Sequence, residues 1–119
     1  MNYQIAEPTT ALQFVIEAAI KVKEWKRDDI EHYELQGITT FHKDGIESFS
    51  PLSNNSDAWL ILDKLMSRKL QVDIIQYKHG YAIALDGESL FQEDIPECLR
   101  ADGIDPLKAL MVWAAWRWL

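Results

Sequence analysis

Few residues of this 119-residue chain have the types that carry chemistry: three histidines, a single cysteine and scattered serines. His32 and His42 fall in neighbouring strand-like stretches with Glu34 and Asp44 close by, so a metal pair would form if those strands aligned in register. No short ligand motif backs the pair, and a lone histidine on a strand is ordinarily a surface or core residue. Ser48, Ser50, Ser53 and Ser56 supply hydroxyls, but none lies in a Gly-x-Ser-x-Gly elbow, and the Ser53 to Ser56 cluster has a structural use as a helix cap. Cys98 has no partner for an internal disulfide and sits among acids rather than in a Cys/His cluster, which suits a reducing compartment and offers no zinc spacing. There is no Walker loop, dinucleotide fingerprint, His-Glu-x-x-His or basic aromatic groove. The chain thus offers no catalytic set, no metal set and no cofactor motif, and reads as a binding protein rather than an enzyme.

The elements that would position these residues follow from periodicity. Pro8 suits a first helical turn, and Leu12, Val15, Ile16, Ala19 and Val22 recur at helical spacing, predicting a helix over about 8–26. From Glu31 to Phe49 the pattern becomes short aromatic and β-branched stretches, His32 to Leu35 and Ile38 to Phe41, broken by Gly37 and by Lys43-Asp44-Gly45, which predicts short antiparallel strands. Ser50 to Ser56 is a loop ending in capping residues, and the helix after it carries Ala58, Trp59, Leu62, Leu65 and Met66 as its expected core stripe. Leu70 to Tyr77 and Tyr81 to Leu85 are strand-like and joined by Lys78-His79-Gly80, a tight hairpin. Asp105-Pro106 reads as an N-cap and a first-turn proline opening a helix over about 106–119.

Both faces of the 70–85 hairpin carry apolar groups, which predicts helices packed on each side. The reading is one α+β domain over 1–119: an antiparallel sheet of about four short strands sandwiched by three helices, in the order α-β-β-α-β-β-α. With 48% hydrophobic residues the chain is long enough to bury a core without metals or disulfides. No leader-like basic stretch precedes an apolar run at Met1 to Glu7, and no segment approaches about 20 apolar residues, so the expectation is a cytoplasmic protein.

The formal charge of −7 argues against direct binding to nucleic acid or to an anionic membrane. Much of the excess lies in a connection over about 86–105, where Asp86, Glu88, Glu93, Asp94, Glu97, Asp102 and Asp105 face Arg100 alone. That run is either a solvated loop or, in the sharper reading, a surface built around Glu93, Asp94, Glu97 and Asp102 that imitates nucleic-acid phosphates in a partner's basic groove.

Three of the five tryptophans lie in the last seven residues. Advancing 100° per residue, Trp118 shares a face with Leu107, Leu110, Met111 and Ala114, whereas Trp113 and Trp116 point the other way. Trp59 and Trp118 are therefore expected in packing. Trp113 and Trp116 either face a second internal surface or form a homodimer or partner contact.

The stretch Ser-Pro-Leu-Ser-Asn-Asn-Ser-Asp-Ala-Trp-Leu-Ile-Leu-Asp-Lys-Leu-Met at 50–66 resembles a pattern of the phage ABA sandwich domain, a family of small phage and prophage proteins. Ile20 to Lys26 resembles the end of that family's first helix, and Asp105-Pro106-Leu107-Lys108-Ala109-Leu110 resembles its closing helix. The three matches occur in the family's order from about residue 20 onward. The long N-terminal helix, the acidic connection and the tryptophan-rich ending depart from the pattern. The resemblance implies a sheet between helices and a phage or prophage origin, hence a bacterial host cytoplasm; it carries over no catalytic residue. The function expected is a non-enzymatic accessory protein that binds a host protein or complex, including one that itself binds nucleic acid. Its most concrete version is an acidic inhibitor of an anti-phage defence complex of the anti-CRISPR or anti-restriction kind. The alternatives are a homo-oligomeric structural or replication-associated protein assembling through the C-terminal helix, and a small-molecule-binding protein or small enzyme without a recognisable motif.

Overall fold

The computed structural model describes residues 6–33, 38–45, 47–68 and 71–119, with His32 and Tyr33 described by backbone alone. The expectations placed on Met1 to Gln4, Glu34, Leu35, Gly37, Ile46 and Leu70 lie outside these residues. The class is α+β. Three helices and two three-stranded antiparallel sheets follow one another in the expected order, with two further short strands.

Helix α1 spans Ala11–Val22 and not 8–26. Thr10 sets its start, because Oγ1 accepts from the Gln13 amide at 3.1 Å and satisfies a first-turn donor. Pro8 lies ahead of that cap and is buried. The end is set by Glu24, whose φ of +59° is left-handed and cannot continue a helix. Trp25 consequently falls beyond α1, where it is buried with its ring edge-on to His42 at 5.4 Å.

Strands β1 (Ile30–Tyr33), β2 (Thr39–His42) and β3 (Ser48–Phe49) form the first sheet, and β2 lies against α1. Thr40 and Phe49, paired across it, are fully buried, and the Thr40 hydroxyl donates to the Phe49 carbonyl at 3.1 Å. Helix α2 spans Asn55–Arg68. Asn54 caps it by accepting from the Asp57 amide at 3.0 Å, while the Asp57 carboxylate accepts from the Ser50 amide at 2.8 Å. Asn54 of the Ser50 to Ser56 loop is thus the cap, and Asp57 in the first turn ties the start of that loop to the helix.

The buried face of α2 is Ala58, Ile61, Leu62 and Leu65. Trp59 and Met66, expected in that stripe, are 51% and 52% exposed. Ile61 is fully buried instead and turns the inward face by roughly half of one 100° helical step.

Strands β4 (Val72–Tyr77), β5 (Gly80–Leu85) and β6 (Glu88–Phe91) form the second sheet, with β5 central. Ile83, Leu85 and Leu90 point into the core, and β5 and β6 lie against helix α3 (Pro106–Trp118). Residues directly opposite in antiparallel strands share a face, so the row Ile75, Ala82, Phe91 lies on the other side. Ile75 is 45% and Phe91 39% exposed. Apolar residues on both faces here mark one packed face and one apolar row whose ends, Ile75 and Phe91, face solvent while Ala82 between them is buried.

Helix α3 begins as expected, with Asp105 accepting from the Leu107 amide at 2.8 Å and Pro106 at the first position. Every residue from Ala109 to Ala115 is buried. A helix without an outward face over two turns must be enclosed, and α1, α2 and β5 enclose it. One hydrophobic cluster joins all three helices to both sheets, with Phe14, Ile61, Leu65, Ile83 and Leu110 at its centre.

Candidate protein-binding surface

The acidic connection is a built surface. Its first part is β6, and the rest forms two short 3-10 turns, Gln92–Asp94 and Glu97–Leu99. Leu90, Ile95 and Leu99 are buried and pin the segment to the core at intervals of four or five residues. Between those anchors the charged side chains face outward: Glu93, Asp94, Glu97 and Asp102 are all exposed.

Arg100, the only basic residue of the segment, has a structural task. Its Nε donates to the Ile95 carbonyl at 2.6 Å and its Nη2 donates to the Glu93 carbonyl. The guanidinium thus ties the two turns together through backbone oxygens. Among the described residues, Asp86, Glu88, Glu93, Asp94, Glu97 and Asp102 form no ion pair. Asp105 is different: its carboxylate is 3.0 Å from Lys108 Nζ and caps α3.

Glu97 and Asp102 line one shallow depression with Arg100, and Glu93 lines a neighbouring cavity of about 270 Å³ on the other side of the same arginine. The structure therefore gathers Glu93, Glu97 and Asp102 around Arg100, with Asp94 in the same turn as Glu93. Gln92, at the head of that turn, accepts from the Tyr81 amide through Oε1 at 3.0 Å and locks the turn to β5. The field of these acids reaches the hairpin: burial pushes the Tyr77 hydroxyl up from its ordinary pKa, and Glu93 and Asp94 add to the rise. The result is a ridge of fixed negative charge on a rigid support.

The tryptophans separate differently from their helical phases. Trp113, offered as a partner contact, is only 9% exposed and belongs to the core of the single chain. The reading of α3 as a helix with a second internal face is the one its surroundings match. Trp116 is half-buried, stands edge-on to Phe14 at 6.4 Å and lies under Lys21 Nζ at 4.9 Å. Burial lowers the pKa of that lysine, which also donates to the Trp116 carbonyl at 3.3 Å. Much of the Trp116 surface is thus taken by α1. Trp118, expected on the core stripe, is half-buried, and its Nε1 donates outward to Glu88 at 2.9 Å.

His32 pairs with Thr40 and His42 with Ile30, so the two are separated by one intervening residue pair and are not directly opposite across the sheet. His42 instead sits between Asp44, at 3.0 Å, and Asp29, at 3.8 Å. Among the described residues no group of three His, Cys, Asp or Glu side chains is arranged to hold a metal ion. Burial pushes the Cys98 thiol up, the reverse of what an activated nucleophile needs.

Sequence reasoning missed the apolar row of β4, β5 and β6. The alternation of Ile75 and Phe91 with inward residues was visible, but β6 itself was hidden inside an acidic stretch. No helix among the described residues is long and apolar enough to cross a membrane. The fold is that of an α+β domain whose most developed surface feature is acidic. No family model, no curated protein and no solved structure matches the chain.

Proposed function

We propose that this protein acts by binding a protein partner through the acidic ridge of Glu93, Asp94, Glu97 and Asp102, which occupies a basic groove as nucleic-acid phosphates would. One observation carries the reading: these carboxylates are exposed and without ion pairs among the described residues, on turns anchored by buried Leu90, Ile95 and Leu99. A merely solvated loop needs no such anchoring. Pre-positioned charge, by contrast, steers a basic partner and fixes its orientation. The ordered motif resemblance at 20–26, 50–66 and 105–110, together with the order of elements, supports a phage or prophage accessory protein. The most concrete version is an inhibitor of a nucleic-acid-binding defence complex in the bacterial cytoplasm.

The test is capture of proteins from a bacterial lysate on the immobilised chain, with elution by a salt gradient and separately by a DNA oligonucleotide. Partners of the ridge elute with oligonucleotide, and a variant with Glu93, Asp94 and Glu97 all changed to Lys captures none of them. Equal capture by that variant at low salt overturns phosphate imitation.

A further inference from the structure

We infer that strand β4 pairs antiparallel with the β4 of a second copy of this chain, about a two-fold axis normal to the sheet, to make one six-stranded sheet. β4 is an edge strand, and all six of its residues pair with β5 in unbroken register from Val72 with Leu85 to Tyr77 with Gly80. It therefore has no bulge. It also has no proline and no lysine, and Asp73 is its only charge. Those are the devices by which proteins ordinarily guard an edge, and β4 has almost none of them. The opposite edge differs: β6 is four residues long, begins with Glu88 and runs directly into the 3-10 turns of the ridge.

The exposure pattern says what kind of neighbour is missing. Ile74 is 36% and Ile75 45% exposed. Consecutive strand residues point to opposite faces, so an object docked on one face covers only one of them. A strand laid alongside β4 covers both, because its own side chains alternate in the same way. Ile74 shares its face with buried Ile83, so at that side the added strand covers the apolar margin of the core, with its Gln76 across from Ile74.

Charge identifies the occupant as a second copy. β4 begins with Asp73 and leads into the basic hairpin tip Lys78-His79. Antiparallel pairing with Ile75 across from the Ile75 of the other copy sets Asp73 of each chain opposite Tyr77 of the other and one step from the turn residue Lys78, twice by symmetry. Asp73 accepts from Gln71 at 3.0 Å, and neither Asp73 nor Lys78 forms an ion pair among the described residues. The same pairing puts no like charges opposite one another within β4. This joint stands independently of the acidic ridge, and it replaces the C-terminal helix as the place where copies would meet.

Sedimentation equilibrium over roughly 1 to 200 µM, the range in which weak edge pairing is readable, tests it. The chain is expected at twice its 13.8 kDa mass in the upper part of that range. Ile75→Lys, placed twice in the joint by symmetry, raises the dissociation constant by about tenfold or more. Asp73→Lys also weakens the dimer, and Asp73→Lys with Lys78→Asp restores it, because antiparallel pairing brings those two positions within one residue step of each other across the joint. All three residues are exposed, so far-UV circular dichroism and melting temperature should be unchanged in all three variants. A wild-type chain that stays monomeric, a dimer indifferent to Ile75→Lys, or a charge swap that fails to restore what Asp73→Lys removed would each overturn the inference.

Discussion

Replacing Trp113 by alanine tests whether α3 is interior. The side chain is 9% exposed in a helix whose residues are buried from Ala109 to Ala115, and its Nε1 is buried without a hydrogen-bond partner. Truncating a buried tryptophan typically costs ~3–5 kcal/mol, from lost transfer free energy and the cavity left behind. Against a total stability of ~5–15 kcal/mol for a domain of this size, that is a large share, and it corresponds to a fall in Tm of roughly 10–20 °C. Trp113→Phe should behave differently. It gives up part of the ring, which leaves a smaller cavity, but it also removes an unsatisfied N–H whose burial costs ~1–3 kcal/mol. The two terms oppose, so Trp113→Phe should lie within ~1 kcal/mol of wild type. Urea unfolding followed by far-UV circular dichroism reads both variants on one scale, with sedimentation alongside. If Trp113→Ala leaves the unfolding midpoint in place and changes the mass in solution instead, α3 is a contact surface and the enclosed-helix reasoning fails.

Other outcomes follow from the same interactions. Glu17 is 5% exposed and its carboxylate is 2.6 Å from Arg27, itself half-exposed, so Arg27→Ala should cost ~1–3 kcal/mol by stranding a buried charge. Adding Glu17→Gln should recover part of that loss in a double-mutant urea series. Lys43 lies 2.8 Å from Asp29 and, by hydrogen bond first and charge second, holds the Asp29 carboxyl below its ordinary value. A depressed folded pKa stabilises above the unfolded value of about 3.9 and is lost as pH falls through the lowered one. The difference between wild type and Lys43→Met in urea midpoint should therefore shrink toward zero on acidification below about pH 4. Gly80 has φ +132°, and a Cβ there would lie 2.2 Å from Gln92 Oε1. Gly80→Ala should thus cost ~1–3 kcal/mol, and Gln92→Ala in the same chain should relieve the steric part but not the backbone strain, as thermal unfolding of the pair would show.

Where a helix boundary was written in one side chain, the sequence was readable; where it depended on what lay across the core, it was not. Asp105 and Pro106 announced α3 because capping is local chemistry, and the hairpin at Gly80 was visible for the same reason. Trp59 was misplaced because an apolar stripe on α2 can be drawn through it or through Ile61 with nearly equal periodicity. Which face turns inward is decided by the neighbouring helices, and local spacing does not contain that information. The division into two sheets was likewise hidden, since strand pairing is a long-range choice. The ridge was half visible: composition marked Glu93, Asp94, Glu97 and Asp102. That Leu90, Ile95 and Leu99 would anchor them, and that Arg100 would donate to backbone carbonyls and not to their carboxylates, needed three dimensions.

The position of α3 in chain order has a consequence for synthesis. The helix that α1, α2 and β5 enclose spans Pro106–Trp118, after every element that surrounds it. While residues 1–105 emerge from the ribosome, the inward faces of Phe14, Ile61, Leu65 and Ile83 have no central helix to close on. At about 5–20 residues per second that interval lasts several seconds. The nascent chain should accordingly remain a client for chaperones until α3 is made, and then fold in one late step. Stalling translation before residue 106 would leave it protease-sensitive throughout, with no stable N-terminal subdomain to recover.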